Sequence, residues 1–169
     1  MPKPFTPFQW EPQDTKASIE KKQERIHELA AHTRLHISSH KSDTVFLEAV
    51  FARGDRRLGS VLLKAFEKGC HFDSWENCFD LGKWMEAFEE CGLDPAFYSN
   101  RRRPYEEVLP WDHLDNGPSK AFLMRENEKA KEAATTPHCR LRCAGCGAQD
   151  LNGGHCDALE GIDRGREVS

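Results

Sequence analysis

The chain has 169 residues, 38% hydrophobic and 31% charged, with a net charge of −4 and a mean hydropathy of −0.73. That length suffices for one modest domain with a real core, and the mild acidity argues against a general nucleic-acid binder. There is no run of about 18 apolar residues to span a membrane, and seven cysteines without a signal-like N-terminus predict a reducing cytoplasm, where clustered thiols serve metal or redox chemistry more often than disulfides.

Taken in chain order, residues 1–12 hold Pro2, Pro4, Pro7 and Pro12 among Phe5, Phe8 and Trp10. Proline fixes φ and removes a donor, so this segment is expected to be extended. Its aromatics need burial, either on a partner structure or folded back on the chain's own helices.

Residues 13–134 read as a helical domain. Asp14 or Thr15 can cap a helix over about 14–33, with an apolar stripe of Ile19, Ile26, Leu29 and Ala30 on an otherwise charged surface helix. Leu35 and Ile37 alternate weakly and predict a short strand at 35–39. Asp43 is expected to cap a helix over 43–53, and Gly54 to end it in a conformation tolerating φ > 0. Asp55 starts the next helix, 56–68, where Leu58, Val61, Leu62, Ala65 and Phe66 fall at helical spacing. The two form a helical hairpin with Arg53-Gly54-Asp55-Arg56-Arg57 at its corner.

After another capping site at Asp73 or Ser74, a helix over 80–91 presents Leu81, Trp84, Met85, Phe88 and Cys91 on one face, and Gly92 stops it. Asp94-Pro95 restarts a short helical turn. A last helix is expected over 119–134. The fold class is therefore mainly α, an irregular helical domain with at most one or two short strands. Its core should contain Phe46, Val50, Leu58, Leu62, Phe66, Trp84, Met85 and Phe88.

Residues 135–169 form a Cys-rich tail and carry the strongest chemical signal. Cys139, Cys143 and Cys146 read C-x3-C-x2-C, with Cys156, His138 and His155 nearby. Three thiolates from one loop can converge on a metal, and Cys156, His155 or His138 can supply a fourth donor. Glycines at 145, 147, 153 and 154 allow the tight turns that aim sulfurs inward. Spacing alone does not separate zinc from an iron–sulfur cluster. The competing reading is a tail with free thiols.

Other candidates are weaker. Arg53, Arg56 and Arg57 could grip a phosphate or carboxylate, but pairing of Arg56 and Arg57 with Glu48 and Asp55 is the commoner outcome. Arg101, Arg102 and Arg103, flanked by Tyr98 and Tyr105, leave an RNA-backbone role open. Cys70, Cys78 and Cys91 are expected as buried structural thiols. His71 and His113 sit beside Asp73 and Asp112, more often a structural arrangement than an acid–base pair. Trp75, Trp84 and Trp111 are most simply core or loop anchors.

Several long strings carry a resemblance to a known group. They are Pro2-Lys3-Pro4-Phe5-Thr6-Pro7-Phe8-Gln9-Trp10, Leu47-Glu48-Ala49-Val50-Phe51-Ala52-Arg53-Gly54-Asp55-Arg56-Arg57-Leu58, Gly69-Cys70-His71-Phe72-Asp73-Ser74-Trp75, Leu109-Pro110-Trp111-Asp112-His113, and Cys139 with Cys143-Ala144-Gly145-Cys146-Gly147. In these stretches the chain resembles the C-terminal part of the cobalamin-binding-domain type of radical S-adenosylmethionine (radical SAM) protein, an uncharacterised bacterial group. The resemblance implies that residues 1–12 correspond to the end of a radical SAM barrel and the rest to a helical C-terminal extension. The barrel, its own cluster loop and the cobalamin domain would then lie outside this chain. The resemblance implies a truncated or split member, not catalytic alone, with an auxiliary 4Fe–4S or zinc centre. S-adenosylmethionine and cobalamin would belong only to the larger assembly, with the barrel encoded by a neighbouring gene and Lys3 near its mouth. Phe5, Phe8 and Trp10 would be poorly packed without that barrel. The alternative is an independent zinc-binding or RNA-interacting module.

Overall fold

Side-chain caps set most of the helix starts. In a computed structural model that describes residues 1–154 and 156, Thr15 accepts from the Ser18 amide at the start of α1 (Lys16–Ala30). Helices α2 (Ser42–Ala52) and α3 (Leu58–Glu67) follow. Asp80 caps α4 (Leu81–Glu90), Asp94 caps α5 (Pro95–Ser99) with Pro95 in its first turn, and Ser119 caps α6 (Lys120–Lys131). The protein is mainly helical, as the periodicity predicts, and no strand occurs among the described residues. The segment expected to be a strand, 35–39, is a loop. Leu35 is exposed, and two alternating apolar residues without a partner edge cannot build a ladder. Asp43 is not the cap of α2: Lys41 takes that position, and Asp43 lies in the first turn, paired with Lys16.

The chain divides into two compact units. The first comprises Met1–Lys3 and Glu11–Arg103; the second comprises Pro4–Trp10 with the described residues from Pro104 onward.

In the first unit α3 packs on α4, and α2 packs on both α5 and α1. Leu47, Val50, Leu58, Val61, Ala65, Trp84, Ala87, Phe88 and Tyr98 form its core, with Phe46 partly buried against it. Three expected core residues are instead exposed: Leu62 at 49%, Phe66 at 62% and Met85 at 40%. The apolar stripe of α3 is wider than the surface that covers it, so Leu58, Val61 and Ala65 turn inward while the next positions around the helix face out. Gly54 is not needed for a positive φ. It is needed for space, because a Cβ there would lie 2.1 Å from Leu58 Cδ1 and 3.0 Å from the Val50 carbonyl oxygen.

Arg53 closes this unit. Its guanidinium is buried and donates from Nε to the Tyr98 carbonyl at 3.0 Å, from one terminal nitrogen to the Arg101 carbonyl at 3.0 Å, and from the other to the Glu11 carbonyl. One fork of donors thus satisfies carbonyls in and just after α5 and one in the N-terminal segment, a task for which arginine geometry is suited.

In the second unit Trp10 is fully buried with Leu109, Trp111 and Leu123, and its ring meets Tyr105 edge-on at 4.9 Å. The expectation that the N-terminal aromatics lack a packing surface therefore fails for Trp10. Phe5 is partly buried against the same core, and Phe8 alone is half exposed. Turn chemistry explains the fit: the Gln9 amide closes onto the Thr6 carbonyl at 3.0 Å, which swings Trp10 inward.

Candidate metal centre

The thiol region is held on the second unit by backbone bonds. The Ser119 amide donates to the Cys146 carbonyl at 2.8 Å, and an Arg125 guanidinium nitrogen donates to the Ala144 carbonyl at 2.7 Å. Gly147 packs against Ser119, where an added Cβ would come within 3.3 Å of the Ser119 Cβ. Both glycines of the turn take left-handed φ values, 64° at Gly145 and 92° at Gly147, which favour glycine over residues with a Cβ. A short 3₁₀ turn, Ala148–Asn152, follows.

Two amides point at sulfur. The Gly145 N–H donates to Cys143 Sγ and the Ala148 N–H donates to Cys146 Sγ, each at 3.4 Å. The pattern repeats, amide i+2 to thiol i, and places partial positive charge where a metal-bound thiolate carries its negative charge. Cys143 is exposed and Cys146 half-buried, so both sulfurs are reachable.

The other expected ligands are placed less tightly. Cys139 is exposed and Cys156 is half-buried, both as free thiols. His138 accepts from the Arg140 amide through Nδ1 at 3.1 Å. His155 lies outside the described residues. Among the described residues, no three His, Cys, Asp or Glu side chains stand together as a ready-made metal shell. The residues present nevertheless suit zinc or an iron–sulfur cluster: a thiol donor set, glycines that permit closure, and amides already hydrogen-bonded to two sulfurs.

The remaining candidates resolve into structural roles. Arg57 reaches Asp55 through Nε and a terminal nitrogen, at 3.0 and 2.7 Å, whereas Glu48 pairs with Lys3. Arg102 lies 3.6 Å from Glu11, and Arg101 stacks over Phe97 at 4.3 Å. Tyr98 is buried and offers no face for a base to stack on. Asp73 accepts from the Trp84 indole at 3.1 Å, and Asp112 accepts from Lys120 and the Leu109 amide, so neither aspartate is committed to its neighbouring histidine. His71 meets Phe66 edge-on at 4.7 Å. Cys70 and Cys91 pack against the first core, and burial, helped by Asp73, pushes the Cys70 thiol above its usual range. Cys78 is exposed, contrary to its expected burial, and Trp75, expected as a core or loop anchor, is exposed in a bend.

Sequence reasoning overlooked Gln9. Its side chain is buried, and its Oε1 accepts from the Trp111 indole at 2.7 Å and from the Phe5 amide at 3.1 Å. No periodicity in the sequence links residues so far apart.

No helix among the described residues is long and apolar enough to cross a membrane. No family model, curated protein or solved structure matches the chain.

Proposed function

We propose that the chain is a metal-carrying accessory region of a radical SAM-type iron–sulfur protein, not catalytic alone, in which Cys139, Cys143, Cys146 and Cys156 close around one iron–sulfur or zinc centre. The pair of amide-to-sulfur hydrogen bonds at Cys143 and Cys146 is the observation that carries this reading. Such a centre supplies either a structural clasp or a site for electron transfer. The chain's own part is to present thiols: Gly145 and Gly147 bend the turn, and Ser119 and Arg125 moor it. The catalytic barrel would be a separate polypeptide in a shared reducing cytoplasm. S-adenosylmethionine and cobalamin would bind in that partner rather than here.

The test is anaerobic purification followed by iron, sulfide and zinc analysis and an absorption spectrum. About one centre per chain is expected, since four donors complete a tetrahedral shell. Cys143→Ser or Cys146→Ser should abolish it, whereas Cys70→Ser and Cys91→Ser should leave it intact because those thiols pack against the first core. A wild-type chain that binds neither zinc nor iron under reducing conditions would sink the proposal.

A further inference from the structure

The second unit contains a cavity of about 430 Å³, within the range of small-ligand sites, about 300–1,000 Å³. Its apolar walls come from Phe5, Trp111 and Leu123, and its polar lining includes Gln9 and Lys120. Gln9 decides its character. The side chain is only 3% exposed, and two N–H donors converge on its Oε1. An atom that receives two donors must be the oxygen, so the carboxamide is locked in one orientation. Its Nε2 keeps two N–H bonds for a further acceptor, and Gln9 lines the cavity.

Lys120, also in the lining, is a second donor. Lys120 gives one N–H to the Glu107 carbonyl at 3.1 Å and one to Asp112 at 2.7 Å, leaving its third. Lys120 also opens α6. The Ser119 hydroxyl caps only the Phe122 amide, so the first amides of that helix lack an intrahelical acceptor. Two carboxylates line the cavity as well. Asp112 is neutralised by Lys120, and Asp115 is exposed and occupied by the Gly117 amide at 2.9 Å.

We propose that this cavity is a binding site for a small carboxylate with a flat apolar body, the body against Phe5, Trp111 and Leu123 and the carboxylate accepting from Gln9 Nε2 and the Lys120 end of α6. The site uses none of the thiols, although Ser119 both lines the cavity and donates its amide to the Cys146 carbonyl.

Phenylacetate, phenylacetamide and phenethylamine serve as probes on the full chain, read by indole fluorescence and by the Gln9 side-chain amide resonance in ¹⁵N–¹H spectra. Phenylacetate should shift the Gln9 amide signal and bind about tenfold tighter than phenethylamine, with phenylacetamide between them. Gln9→Glu keeps the acceptor for Trp111 but puts an anionic oxygen where the donor stood. It should weaken phenylacetate about tenfold or more and favour the amine. Lys120→Met should weaken phenylacetate several-fold and carries the comparison if the Gln9 variant does not fold. The proposal is overturned if phenylacetate leaves the Gln9 resonance unmoved at concentrations on the order of 10 mM. Equal binding of amine and carboxylate, or full phenylacetate affinity in folded Gln9→Glu and Lys120→Met proteins, would overturn it too.

Discussion

Arg53 and Arg57 stand four residues apart and do opposite work. Arg53 is buried among carbonyls, while Arg57 lies at the surface and spends its donors on the Asp55 carboxylate. That difference fixes what acid does at this corner. The hydrogen bond from the Arg57 side chain, reinforced by its amide, holds the Asp55 carboxyl below its ordinary 3.8. A group whose folded value is depressed adds stability above the unfolded value and loses it as pH falls through the folded one. Asp55→Asn should therefore cost about 0.2–1 kcal/mol at neutral pH, the worth of a largely exposed pair. The gap to wild type should close as pH falls below the ordinary carboxyl value. Urea melts at neutral and at acid pH check this; a gap independent of pH would assign the loss to packing instead.

At the scale of elements, α3 gives the sharpest test. Val61 is fully buried and Leu62, its neighbour, is 49% exposed. Val61→Ala should cost about 2 kcal/mol from lost burial and a residual cavity. Leu62→Ser should cost about 0.5 kcal/mol or less, because most of that side chain never left water. Equal costs in chemical denaturation would mean that α3 is rotated from the position described. The same helix shows what the sequence could and could not convey. Helix existence was legible because apolar spacing and caps such as Thr15 act locally; the capping site expected at Asp73 or Ser74 is instead a turn, and Asp80 caps α4. The inward phase of α3 was not, since a stripe of five apolar residues fits more than one rotation and only the packing of α4 chooses. The strand at 35–39 failed for a related reason: a strand requires a partner edge that local alternation cannot supply. The candidate thiols could be named from spacing alone, and the amides that face Cys143 and Cys146 follow from glycines already visible there. Gln9 was not, because its bond to Trp111 spans 102 residues.

For the whole molecule, the N-terminal segment is the consequential part. Trp10 fills the second core although the residues just after it belong to the first unit. Trp10→Ala should destabilise the second unit by about 3–5 kcal/mol, as expected for loss of a fully buried large aromatic. Native-state hydrogen exchange should then show α6 losing protection while α3 and α4 keep theirs. Unchanged protection in α6 would refute the placement of Trp10. The arrangement also bears on biosynthesis. Gln9 and Trp10 leave the ribosome well before Trp111, which follows 102 positions after Gln9. At about 5–20 residues per second, the indole of Trp10 waits roughly 5–20 s for its cover. Much of the first unit, whose core draws on residues 47–98, is translated within that interval. Completion of the second unit is thus a late, long-range closure in a nascent polypeptide, and the step most exposed to misassembly during translation.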